Sequence, residues 1–191
     1  LGLLSAAAGR LIAQKRILTP TALILTASSF VQEIISRELW TLEDSPGKIL
    51  THGERAYISY GLEGVRGEVE HGFNETLKAI EIMRKLGAEY GHLTLREKLT
   101  HTLINIMATN GDTSIAAHSG IGELMRVQND AQKVLELGGM LTQKGIDAVF
   151  EMDKKLRTRG ISPNGSAVIL ANALFIPEIA AMKLTRSGYE E

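Results

Sequence analysis

The sequence predicts an all-α fold, an irregular bundle of about seven to eight helices with no sheet. Three observations carry this. Apolar residues recur at three- and four-residue spacing along most of the chain. Helix-start signals stand just ahead of several of those stretches. No run alternates apolar and polar residues over strand length between hairpin turns. With 191 residues, 44% of them hydrophobic, the chain is long enough to bury a core and is read as a single helical domain over 1–191.

Each element has its own justification. Leu3, Leu4, Ala7, Ala8, Leu11 and Ile12 form one stripe, ending near Lys15-Arg16. Thr19-Pro20 reads as N-cap and first residue of a second helix, because proline there gives up only a donor that is unpaired anyway. That helix carries Leu23, Ala27, Phe30, Val31, Ile34 and Ile35 toward Trp40, and "EDSPGK" is the clearest loop. Thr51 with Glu54, and Thr94 with Glu97, have capping-box spacing and open helices toward Tyr60 and Met107. Between them a helix runs from about Phe73 to Gly87. Further helices are expected over about 120–137 and 142–159, with a last one from Ser162 to about Arg186.

Composition excludes several function classes. A net charge of −1 and a pI near 6.6 give no basic field, so neither nucleic acid nor an anionic membrane surface is an expected partner. The absence of cysteine rules out disulfides and thiolate metal sites and is compatible with a reducing cytoplasm. Apolar runs such as "TALILTASSFV" are short and interrupted, so no membrane span is expected. No signal peptide is read at the start. The chain opens in mid-helix register, "LGLLSAAAGRL", without methionine, which suggests a piece of a longer protein.

Three junctions carry more polar chemistry than a plain bundle needs. "GLEGVRGEVEHGF" places Gly61, Gly64, Gly67 and Gly72 around Arg66, Glu68, Glu70 and His71. Each helical glycine costs about 1 kcal/mol relative to alanine, so this density suggests close backbone approach or a site wall. There Arg66 suits a phosphate or carboxylate, and Glu68 a cation or sugar hydroxyl. "MATNGDTSIAAHSG" follows a helix C-cap at Asn110-Gly111 with Asp112, Thr113, Ser114 and His118, more than a cap requires. "ISPNGSAVILANALF" is a helix start with either Ser162 or Ser166 as N-cap, and such a terminus favours an anion. In a bundle, three helix ends of this kind can converge on one pocket.

Taken in order, "GERAYISYGLEGVRGEVEHGF", "LTHTLINIMATNGDTSIAAHSGIGELMRVQNDAQKVLELGG" and "MDKKLRTRGISPNGSAVILANALF" resemble triphosphoribosyl-dephospho-CoA synthase, over roughly residues 52 to 176. This enzyme prepares the prosthetic group of citrate lyase, and a sister version serves malonate decarboxylase. The resemblance implies an all-helical cytoplasmic transferase with ATP and 3′-dephospho-CoA as substrates. It would join the ATP ribose, triphosphate retained, to the dephospho-CoA ribose and release adenine. Its product would pass to the transferase that loads the citrate lyase acyl carrier protein, and a homodimer is among the expected assemblies. Matched motif by motif, it implies Asp112 and Glu68 as catalytic residues and as ligands for Mg²⁺ or ribose hydroxyls. Arg66, Thr113, Ser162, Gly165, Ser166 and His118 would be the substrate and phosphate contacts. The chain departs from the family pattern at Ser114, His118, Asn164 and Val168, and the family's N-terminal K-P-G-L-V-D and T-H-K-G segments precede the point where this sequence begins.

Two other readings stay open on the sequence. One is a diverged or truncated helical domain that binds a nucleotide without catalysis. The other is a metal-dependent hydrolase using His71, His101, Asp112 and His118, although no pair among them has ligand spacing on one helix.

Overall fold

The computed structural model describes residues 1–42 and 49–182. The expected "EDSPGK" loop at 43–48 and the end of the last helix toward Arg186 lie outside those residues. Among the described residues there are eleven α-helices, one 3-10 turn and no strand. The helices are α1 (Gly2–Ala13), α2 (Pro20–Ser29), α3 (Gln32–Trp40), α4 (His52–Tyr60), α5 (Gly64–Glu70), α6 (Asn74–Glu89), α7 (Leu95–Thr109), α8 (Thr113–Ser119), α9 (Ile121–Glu136), α10 (Gln143–Thr158) and α11 (Asn164–Ala181). The 3-10 turn, Gly139–Leu141, joins α9 to α10.

The all-α expectation holds, and the count exceeds seven to eight for three local reasons. The expected helix from Thr19 to Trp40 breaks at Phe30-Val31, where both amides bond three residues back, to Ala27 and Ser28. The Ser28 hydroxyl donates to the Val69 carbonyl at 2.7 Å, and α2 and α3 both pack on α5. The glycine-rich junction is itself the short helix α5, and the stretch after Asn110-Gly111 is the short helix α8. The start signals behave as written. Thr19 caps α2, with Pro20 at its first position, and both Thr51/Glu54 and Thr94/Glu97 form complete capping boxes.

Burial gathers the helices around two main clusters. Ile104, Met107, Ile115, Leu124, Val127, Val134 and Met152 join α7, α8, α9 and α10. Leu4, Ala7, Ile24, Ala27, Val69, Phe73 and Ile176 join α1, α2, α5 and α11. Helix α11 packs against α6, α7, α2 and α5 and so ties the two together; a fully buried side chain such as Ile176 contributes about 1.5–3 kcal/mol. The expectation that no segment is long and apolar enough to cross a membrane is corrected at α11, which meets that test by length and composition. Its inward face nonetheless buries two polar side chains, Ser166 and Asn172.

Candidate active site

Asp112 is the centre of the junctions. It is the N-cap of α8, its Oδ1 accepting from the amides of Ser114 at 3.0 Å and Ile115 at 3.4 Å. The same carboxylate reaches the start of α11. Oδ1 accepts from the Gly165 amide at 3.2 Å, and Oδ2 from the Ser166 amide at 2.8 Å and the Ser166 hydroxyl at 3.0 Å. One acid therefore satisfies orphan donors of two helices, and it is only 2% exposed. Five donors occupy the roughly four lone-pair directions a carboxylate offers, so binding Mg²⁺ or a ribose hydroxyl there requires giving some of them up. Gly165 is needed at this contact, because a Cβ would sit 2.9 Å from Oδ1.

The last block also differs from both capping schemes read from the sequence. Pro163 is the N-cap of α11, and Asn164, Gly165 and Ser166 form its first turn. The Ser162 hydroxyl donates to Asn164 Oδ1 at 2.8 Å, and the Asn164 amide bonds the Ser162 carbonyl at 2.9 Å. The Gly165 and Ser166 amides, which the resemblance reserves for phosphate, face Asp112 instead of solvent.

The first junction works the same way. Glu68, 8% exposed, reaches from α5 to the start of α6, accepting from the Glu75 amide at 3.1 Å and the Thr76 amide at 2.6 Å. The N-cap of α6, Phe73, offers no side-chain cap and lies in the left-handed region at φ +62°. Full burial of its ring and the bond from its amide to the Glu68 carbonyl at 2.7 Å hold it there. Arg66 lies on the exposed side of α5, 3.5 Å from Glu38 of α3; an exposed pair of this kind is worth about 0–1 kcal/mol.

The junctions meet through close backbone approaches. Gly64 has φ +58°, and a Cβ there would lie 2.7 Å from Thr113 Cγ2; a Cβ on Gly111 would lie 2.9 Å from Leu62. Two cavities flank this seam. One, of about 280 Å³, is lined by Glu63, Glu68, Glu75 and His71 with backbone of both junctions. The other, of about 150 Å³, is lined by Ser114, His118, Ser119, Gly160, Ser162 and Asn164. At its edge Asn164 Nδ2 donates to Ser114 Oγ at 3.3 Å.

The four groups of the hydrolase reading are not brought together. The Met140 amide donates to His101 Nδ1 at 3.2 Å, and burial pushes the His101 pKa down. His71 Nε2 lies 2.7 Å from Glu63. Among the described residues no group of three or more His, Asp or Glu side chains is placed to hold a metal ion.

His118 has a partner that sequence reasoning missed. Its ring stacks on that of His52, the first residue of α4, with centroids 4.3 Å apart and planes 24° from parallel. Arg55 in turn donates to His52 Nδ1 at 2.8 Å. His52 follows a capping threonine and has no spacing relation to residue 118, so only the packing of α4 on α8 reveals it.

Comparison with known proteins extends the motif evidence. The family model described as ATP:dephospho-CoA triphosphoribosyl transferase matches residues 1–186, well beyond the 52–176 stretch that carries the motifs. A curated relative, the 2-(5''-triphosphoribosyl)-3'-dephosphocoenzyme-A synthase of Klebsiella pneumoniae, is 35% identical over 181 residues, 94% of this chain and 58% of the relative. The chain thus spans somewhat over half the length of that relative. No solved structure matches. A match over nearly the whole sequence places the chain in the ATP:dephospho-CoA triphosphoribosyl transferase family.

Proposed function

We propose that this chain carries the site of a transferase joining the triphosphoribosyl part of ATP to 3′-dephospho-CoA with release of adenine. The product would be the prosthetic-group precursor of citrate lyase, passed on to the transferase that loads the acyl carrier protein. The observation that carries the reading is the meeting of all three sequence blocks at one seam, where Gly64 abuts Thr113 and Asp112 binds the start of α11.

The reaction breaks the bond between the ATP ribose and adenine and forms one from the same carbon to a dephospho-CoA hydroxyl. Adenine leaves with a proton, and the hydroxyl loses one, so no oxidant or reductant is needed. An enzyme for it must hold a triphosphate, stabilise a cation-like ribose and move those two protons. Arg66, whose ion pair with Glu38 is a weak exposed one, is the phosphate-binding side chain at the first junction. Ser162, Ser114 and His118 line the 150 Å³ cavity, a volume suited to one phosphate or sugar and too small for a nucleotide.

The donor set suits Mg²⁺ on one side only. Glu68 takes one amide on each oxygen and keeps lone pairs on the 280 Å³ cavity beside Glu63 and Glu75. It would share the ion with triphosphate oxygens, the usual arrangement for Mg²⁺. The ion would neutralise triphosphate charge. Asp112 has its oxygens occupied and acts by positioning Ser114, Gly165 and Ser166.

The test is adenine release from ATP, Mg²⁺ and 3′-dephospho-CoA, followed chromatographically. Adenine and the coupled product appearing in equal amounts supports the proposal. Saturable nucleotide binding without either product supports the non-catalytic reading instead.

A further inference from the structure

The His52–His118 stack has a protonation pattern fixed by its neighbours. His118 Nδ1 lies 2.8 Å from the Ser114 carbonyl. A carbonyl only accepts, so Nδ1 carries the proton. His52 Nδ1 lies 2.8 Å from Arg55. A guanidinium only donates, so that nitrogen is bare and the His52 proton is on Nε2. Each ring therefore keeps one nitrogen, Nε2, with no protein partner among the described residues. That of His52 is a donor, and that of neutral His118 is an acceptor. A second proton is disfavoured on His52, whose pKa is pushed down by burial, by His118 and by Arg55.

Among the described residues, the helices packed on α8 offer this pair no free acid. Helices α4, α9 and α11 pack on α8. From α4 come His52 and Arg55, while Glu54 is engaged in its capping box. From α9 comes Glu123, already paired with Arg126 and Arg159. Helix α11 has Glu178 as its only charged side chain, far along from its Asn164 end, and Asp112 lies at the opposite end of α8 from His118.

We infer that His52, Arg55 and His118 form, at the edge of the 150 Å³ cavity, a phosphate subsite that takes up one proton as the anion binds. An anion bridging the two Nε2 atoms of the stacked rings would find a donor on His52 and would require a second proton on His118. Ser114 and Ser162 line the adjoining cavity. The assignment to the triphosphate rests on the function proposed above; the coupling between anion and proton does not.

The test is calorimetric titration of the full chain with inorganic tripolyphosphate, without nucleotide, in buffers of different ionisation enthalpy. The expected result is uptake of close to one proton per anion, with affinity falling by up to about tenfold per pH unit on the alkaline side. His118→Asn should lose both the uptake and most of the affinity. His118→Arg should keep binding and flatten its pH dependence, since a guanidinium stays charged. His52→Ala should weaken binding with the fold intact by circular dichroism. No tripolyphosphate binding, binding without proton uptake, or uptake that persists in His118→Asn each overturns the inference. A failed adenine assay alongside proton-coupled binding overturns only the proposed reaction.

Discussion

Removing the Asp112 carboxylate should unfasten two helices at once. Replacing an N-cap acid by alanine costs about 1 kcal/mol, within a range of about 0.5–2, and Asp112 serves the first turns of both α8 and α11. The Gly165 and Ser166 amides have no intrahelical acceptor in a first turn, and a buried donor left unsatisfied costs about 1–3 kcal/mol. Asp112→Ala is therefore expected to lose about 3–4 kcal/mol, a large share of the roughly 5–15 kcal/mol that holds a typical domain. Asp112→Asn keeps the volume but sets an amide N–H₂ against some of the same donors, so it should lose at least half as much. Urea denaturation reads this as a lower midpoint with an unchanged slope. Native-state hydrogen exchange should show the Gly165 and Ser166 amides losing protection in both variants. An Asp112→Ala protein within about 1 kcal/mol of the parent, less than two lost caps, would refute the double-cap account.

Other consequences can be checked alongside. Glu68→Ala should cost about 1–2 kcal/mol by urea denaturation, as loss of the acid that accepts from the first α6 amides, with Glu68→Gln intermediate; equal losses for the two would argue against the charge. Gly64→Ala puts a side chain at φ +58°, about 1–2 kcal/mol, and drives its Cβ against Thr113, about 1–3 kcal/mol more; adding Thr113→Ala should recover only the second part. His101 prefers its neutral form in the fold, its pKa lying below the ordinary 6.5. Its contribution is thus complete above that value and is lost as pH falls through it toward the folded pKa. His101→Leu should flatten that acid-side decline in melting temperature.

What could be read from the sequence was what neighbours in sequence decide. The capping boxes at Thr51 and Thr94 and the Thr19-Pro20 start are three-residue devices, and they appear as written. The break at Phe30-Val31 has no glycine or proline to announce it; it coincides with Ser28 reaching Val69, forty-one residues away. Helices α5 and α8 were hidden by glycine content and by their seven-residue length, both against helix formation in isolation. Asp112 was legible as the cap of α8, but its second task lies 53 residues on. Arg66, Thr113 and Ser162 could be named from their blocks, whereas His52 and Arg55 carry no local mark and enter only through the packing of α4 on α8.

The Asp112 clasp also constrains length. It ties residue 112 to residues 165 and 166, closing at its base a stretch whose two arms, helices α9 and α10, also pack on each other and, through α9, on α7 and α8. The two arms are each sixteen residues and turn at Gly138-Gly139, which both adopt positive φ. A turn of helix added to one arm moves its end about 5.4 Å, well outside hydrogen-bond reach. Insertions and deletions in this part of the chain should therefore be tolerated only when matched in both arms, and an unmatched change would surface as a defect at the start of α11.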